Sequence, residues 1–442
     1  MLSMDNNFQV LNADVVKGIK SGESSSSTPR IQKAPSVLHD IQYFHQHLEP
    51  KVYSFGPIHH GRYNLRRGEE MKQKLAAQFI SDYELDASSK YDKILKQIRN
   101  FRDCYDKDVT EKCDDQQLSR IFYVDGCALL FYVICCTSDD LYRLRTLNIT
   151  AILSHNDLFL LENQLPYGLL EILMEGAQTG KGLSLLMDEF VRSQNMVPGK
   201  PIETEVVEGE WKPDHLLELL WMKVRFPKWN WSTEMLQRPK RNNKKMSTHS
   251  QEVTVLASSS PSYTVNKLIE SGILLKPSDQ STSLTDISLR GRGIFKLLKL
   301  RPLIIDESTV VKLSNLVAYE MCPGLKHELE VISFVCFVNS LIADVENVGK
   351  LISKGILVNL LSKHEEVFNI FREMAKNLIP NPHIYNDVRW DIQNYLDSQK
   401  SFQFWLKKPI RAFIEAPVPW ARFLLSFLTI NFTVAQTVLA AN

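Results

Sequence analysis

The chain has almost no net charge. Across 442 residues, 52 lysines and arginines face 51 aspartates and glutamates, leaving a formal +1. No overall field therefore favours nucleic acid or an acidic ligand. A secretory start is also missing: MLSMDNNFQVLNADVVKGIK carries Asp5 and Asp14 and no continuous apolar stretch. The seven cysteines form no CxxC pair and sit mostly in apolar segments, with Cys135 beside Cys136. That usage suits reduced thiols facing the cytosol rather than a disulfide framework. There is no GxSxG elbow, HExxH helix, kinase signature set or EF-hand loop, and no repeat of solenoid period. Gly176-Ala-Gln-Thr-Gly180-Lys181 is one residue short of a phosphate-binding loop, and Gly182 stands where a magnesium-ligating Ser or Thr belongs.

What is present is helical periodicity. With 44% hydrophobic and 23% charged residues the composition is that of a globular protein, long enough for two units or one elaborated domain. The expected class is mainly α, a multi-helix body with at most a small β element. Residues 1–30, including Ser24–Ser27, read as a flexible arm. KVYSFGPIHHGRYNL reads as an irregular extended segment. Apolar residues then recur at helical spacing over Lys72–Tyr83 and Ser89–Tyr105, and Ile121–Cys136 is an apolar run interrupted by Asp125-Gly126. Asp214 is placed to N-cap a helix running to Phe226. Residues 227–262, with RPKRNNKK and a serine run, read as a linker or insertion between helical parts 31–226 and 263–415. Its five basic residues fit an import signal or a lipid-contacting patch, although a solvated loop is the commoner origin of such a run. Beyond it, Tyr263–Gly272 is helical and ends at a glycine cap, Ser283–Asp306 holds a small hairpin, and helical patterns return over Thr309–Tyr319, Glu328–Asp344, Val345–Lys354, Glu365–Leu378 and Tyr385–Lys400.

Two segments carry the most information. In HNDLFLLENQLPYGLLEILM, Glu162, Asn163 and Gln164 interrupt an apolar run, and Pro166 is incompatible with a helix interior. The spacing predicts a helix-to-helix corner with Asn163 or Gln164 near the cap and Leu169, Leu170 and Leu173 buried. The second segment is residues 418–441. After Arg422 come nineteen uncharged residues, with Lys407, Lys408 and Arg411 before them and Trp420 at the boundary. That fits a membrane span with the body in the cytosol. A stripe of Ser426, Thr429, Thr433, Gln436 and Thr437 fits equally an amphipathic helix docked on a soluble core.

The candidates for chemistry are few. His59 and His60, near His45 and His47, are adjacent in an extended stretch and so point apart rather than converge on a metal. Cys127, Cys135 and Cys136 lie in apolar surroundings that blunt a thiol. Glu162 with Glu171 would make an acid/base pair, but a glutamate satisfying backbone amides is the commoner use.

In this order, the motifs resemble the plant family called domain of unknown function 247. Tyr53-Ser-Phe-Gly56-Pro57-Ile-His59-His60-Gly61 is similar to its early glycine-proline-histidine stretch. Val124-Asp125-Gly126-Cys127 is similar to its Leu-Asp-Gly-Cys core, with Phe122 and Tyr123 where methionines are usual. Asp157-Leu-Phe-Leu-Leu161-Glu162-Asn163-Gln164-Leu-Pro166 is the most specific match. Asn315-Leu-Val-Ala-Tyr319-Glu320 follows another motif, with Met321 in place of the customary Gln, and Pro419-Trp420 completes the series. The resemblance implies a C-terminal transmembrane segment and supplies no catalytic residues, metal or cofactor to transfer.

The expectation is therefore a non-enzymatic, membrane-associated protein with its body in the cytosol, acting on an unidentified protein partner in signalling or recognition. No nucleic acid or small-molecule substrate is expected. The competing readings are a soluble, hydrolase-like enzyme with an unrecognised site, and a recognition determinant in self-incompatibility or defence.

Overall fold

Asp114 starts the longest helix, Asp115–Thr137, through a capping box: its carboxylate accepts from the Gln117 amide while the Gln117 side chain accepts from the Asp114 amide. The computed structural model describes residues 30–138, 140–146, 155–194, 196–198, 212–226, 263–278, 283–291, 296–324 and 328–399. The arm, the 227–262 segment and the 418–441 helix, with Pro419 and Trp420, lie outside these described residues apart from Arg30.

Helix Asp115–Thr137 is buried on nearly all sides, as expected of an apolar segment without an outward polar face. Helices Arg66–Asp82, Ala87–Lys96, Tyr167–Met174 and Leu183–Ser193 pack around it. The interruption at Asp125-Gly126 has a packing cause. A Cβ at Gly126 would overlap Leu173 Cδ1, so glycine lets helix Tyr167–Met174 approach, while Asp125 meets a lysine from another helix.

Several local expectations need correction. The periodicity over Ser89–Tyr105 is two helices, Ala87–Lys96 and Ile98–Arg102, because Gln97 leaves the helical region at φ −105°, ψ 9°. Helix Leu216–Arg225 is capped not by Asp214 but by His215, whose Nδ1 accepts from the Glu218 amide at 3.2 Å. Asp214 is instead drawn out to Arg30, 2.7 Å away. Pro166 itself, at φ −59°, ψ 132°, occupies the cap position of helix Tyr167–Met174, and no side chain caps that helix.

In the C-terminal part, Thr264, Asp306 and Asp344 cap Val265–Glu270, Glu307–Glu320 and Val345–Ser353 as short polar residues should. Helices Glu330–Leu341 and His364–Ala375 complete the core, followed by helical residues 386–399.

Among the described residues there are two small sheets rather than one β element. Strand β1 (Ile273–Pro277) pairs in parallel with β3 (Lys296–Leu300), which pairs antiparallel with β2 (Ile287–Arg290). Strands β4 (Leu303–Ile305) and β5 (Leu357–Asn359) form a parallel pair. Three residues are too few to display a period, which is why β4 and β5 are not visible in sequence. Residues from both sides of 227–262 enter one hydrophobic core.

Candidate functional site

The family-like motifs, apart from Pro419-Trp420, meet in one buried polar cluster centred on residues 157–166. The reason is chain geometry. Residues 49–62 cross the interior without regular hydrogen bonding, and buried backbone groups there need partners.

Asp157 supplies three of them. Its Oδ1 accepts from the Lys51 amide at 2.9 Å, and its Oδ2 accepts from the Val52 and Tyr53 amides, each at 2.8 Å. Asn163 continues the row: Oδ1 accepts from Phe55 at 2.6 Å, while Nδ2 donates to the Tyr53 and Asp157 carbonyls at 2.9 and 2.8 Å. Gln164 donates to the Leu158 and Leu160 carbonyls and accepts from the Leu217 amide. The two amides thus brace the crossing segment and the start of another helix, rather than capping the helix that follows them.

Asp125 and Lys72 form the lower half. Lys72 is fully buried and lies 2.6 Å from Asp125 Oδ1 and 2.9 Å from Glu69 Oε1, while also donating to the Ser54 carbonyl. Asp125 Oδ2 accepts from the Gly56 amide at 2.8 Å. Burial raises the Asp125 pKa, opposed chiefly by the Lys72 charge. Lys72 is not among the candidate site residues read from the sequence, although it left a signal, standing on the same helical stripe as Leu75, Ala76 and Phe79. Gly56 needs its residue type: φ is +77°, and a Cβ would sit 2.9 Å from both the Gln164 carbonyl and the Tyr105 hydroxyl. Pro57 follows, half-buried.

Glu162 forms the upper edge. Its Oε1 accepts from the Ala34 amide at 2.8 Å and lies 2.8 Å from His39 Nε2; Oε2 is 3.3 Å from His59 Nε2. Burial pushes the carboxyl up, but His59, the Ala34 amide and His39 together outweigh it and hold the pKa at about 2. His59 is fully buried, and its Nδ1 has no hydrogen-bond partner among the described residues. His60 turns the other way, is exposed, and lies 3.5 Å from Glu69. The pair therefore diverges, and among the described residues no three His, Cys, Asp or Glu side chains are grouped to hold a metal. Glu171 is engaged elsewhere, 2.6 Å from Lys212.

The motif at 315–320 ties in from the C-terminal part. Asn315 accepts from the Leu161 amide at 2.8 Å and donates to the His47 and Val311 carbonyls. Glu320 accepts from Trp221 Nε1 and from the Val331 and Ile332 amides, the free N–H groups that open helix Glu330–Leu341. Tyr319 is buried against His215 and Trp221. Cys127 is fully buried, and burial drives its thiol pKa far up, the opposite of an activated nucleophile. A void beside Asn163 and Gln164, lined also by Phe55, Leu129, Leu158 and Leu216, measures about 10 Å³, room for roughly one water.

One further carboxylate stands apart. Glu218 accepts from the Asp214 amide at 2.6 Å, and burial raises its pKa to about 7. It faces Tyr319 and the Arg30–Asp214 ion pair.

The comparisons with known proteins bear out the family resemblance. The model of family DUF247, described as plant protein of unknown function, matches residues 31–432. A UPF0481 protein of Arabidopsis thaliana is 28% identical over 212 residues, 45% of this chain and 41% of that relative. The chain thus spans about two fifths of that relative's length. No solved structure matches.

Proposed function

The chain belongs to DUF247, a plant family of unknown function, and from that premise we propose that it is a non-enzymatic, membrane-associated protein acting through protein contacts. The observation that carries this reading is the engagement of the motif side chains. Asp157, Asn163, Gln164, Asn315 and Glu320 each hold backbone groups of the body itself, and each is buried. A catalytic acid, base or nucleophile needs a face open to substrate, and these side chains have used theirs on the fold. Their role is to fix the body's shape, which leaves function to its outer surface.

The membrane part of the reading rests on the nineteen uncharged residues after Arg422 and the basic residues ahead of them. Helix Asp115–Thr137 also has the length and hydropathy of a span, but 83% of its apolar window is covered by the body. It belongs to the core.

The deciding experiment is fractionation of the full chain and of a chain lacking residues 418–441, followed by proximity labelling of the intact protein. The full chain should partition with membranes and the shortened chain with the soluble fraction, while labelling recovers a reproducible protein neighbour. Identical fractionation of the two chains would refute the anchor, and a hydrolytic activity abolished by substitution in the buried cluster would refute the non-enzymatic reading.

A further inference from the structure

We propose that the outward face of the three-stranded sheet is a docking surface for the anionic headgroups of a phospholipid layer. The inference deepens the membrane-associated reading and rests on it for the setting, but on different residues.

The three strands, ILLKP, ISLR and KLLKL, contain four basic residues and no acidic one. Side chains alternate between faces along a strand. The inner face receives Ile273, Leu275, Ile287, Leu298 and Leu300, all buried. The register then sets the outer face in two rows: Leu274 beside Leu297 and Arg290, and Lys276 beside Lys299 and Ser288. Leu274 is 52% exposed.

Two features of this face ask for an external partner. Lys276 and Lys299 are Cα partners in the ladder, an arrangement of like charges that destabilises a sheet unless something relieves it. Among the described residues, Lys276, Lys299 and Arg290 make no ion pair; of the acids nearest along the chain, Glu270, Asp286 and Asp306 lie beyond the strand ends, and Asp279 falls outside the described residues. Charge complementarity therefore points to an anion array rather than to a single buried ligand. The paired leucines decide its kind. Single-stranded nucleic acid is held by aromatic platforms, and this face has none. Cations interleaved with exposed leucine match a headgroup layer above acyl chains.

The test uses the full chain, synthesised without cells in the presence of vesicles and recovered by flotation. One set is phosphatidylcholine alone and the other is phosphatidylcholine with phosphatidylserine. Amine-reactive labelling read by mass spectrometry then compares Lys276 and Lys299 with Lys74, an exposed lysine on helix Arg66–Asp82. Labelling of Lys276 and Lys299 is expected to fall severalfold on the anionic vesicles only, with Lys74 unchanged. At low salt, Lys276→Gln with Lys299→Gln should weaken the anion-dependent part of binding on the order of 25-fold, about fivefold per cation. Flotation on neutral vesicles reports the C-terminal anchor separately, so loss of one reading leaves the other intact. Equal labelling on both vesicle types, or lysines already unreactive without vesicles because another segment or copy covers them, would overturn the proposal. Protection by a single-stranded RNA but not by anionic vesicles would also overturn it.

Discussion

Glu162, sunk in the 157–166 corner, holds the Ala34 amide, His39 and His59, whereas Lys276 on the outer face of β1 makes no ion pair among the described residues. Both belong to one chain and both are charged. The difference is what the surrounding backbone requires. Residues 49–62 and 30–35 bring unpaired N–H groups into the interior, so any carboxylate or amide there is bound by necessity. A three-stranded ladder satisfies its own inner backbone groups and leaves the side chains of its outer face unassigned. Where polar side chains are most densely bonded the protein is being built; where they are left without partners it is available to something else.

Four measurements would break or sharpen that contrast. The largest effect is expected at the buried ion pair. Asp125→Ala leaves Lys72 charged and without its closest carboxylate, and urea titration should show a loss of about 3–5 kcal/mol; a loss under 1 kcal/mol would mean that water reaches Lys72. Asn163→Ala comes next. A single backbone partner would make this substitution cost about 1–2 kcal/mol, but it strands the Phe55 amide and the Tyr53 carbonyl and removes the bond to Asp157, so about 3 kcal/mol is expected. An unchanged melting temperature would argue that the corner is not structural.

The third measurement uses pH, where buried Glu162 and half-buried Glu218 work in opposite directions. Glu162 has a folded pKa of about 2, below its unfolded value, so its contribution is complete above about pH 4.5 and is lost as pH falls towards 2. Glu218 has a folded pKa of about 7, above its unfolded value. The folded chain therefore keeps a proton that the unfolded chain releases, and this group lowers stability as pH rises from about 4.5 to 7. Glu218→Gln should recover about 2–3 kcal/mol at pH 8 and flatten that part of the profile. An unaltered profile would place Glu218 in contact with solvent. The smallest effect belongs to the sheet face: Lys276→Gln with Lys299→Gln should change stability by no more than about 0.5 kcal/mol, confirming that these lysines do not hold the fold.

Much of the helical framework is legible locally. The predicted helices at Lys72–Tyr83, Ile121–Cys136 and Val345–Lys354 correspond to Arg66–Asp82, Asp115–Thr137 and Val345–Ser353, because apolar spacing and short polar caps act within a few residues. The 283–306 hairpin is present as β2 and β3, with β1 added alongside in parallel. The candidate site was legible as a list of unusual residues but not as an arrangement. The polar run 162–164 looks like a helix cap, since a cap is the commonest local use of such residues, but Glu162 reaches Ala34, Asn163 reaches Tyr53 and Phe55, and Gln164 reaches Leu217, all far along the chain.

The sequence by itself determined where most turns of helix form, and that Glu162, Asn163 and Gln164 had to be satisfied somewhere. Only the tertiary structure decided where: Glu162 at Ala34, Asn163 at Phe55, Asn315 at Leu161 and Glu320 at Val331 and Ile332. The physical reason is that helical spacing is a property of neighbours in the chain, whereas a buried donor takes whichever acceptor the packing of distant segments brings within reach.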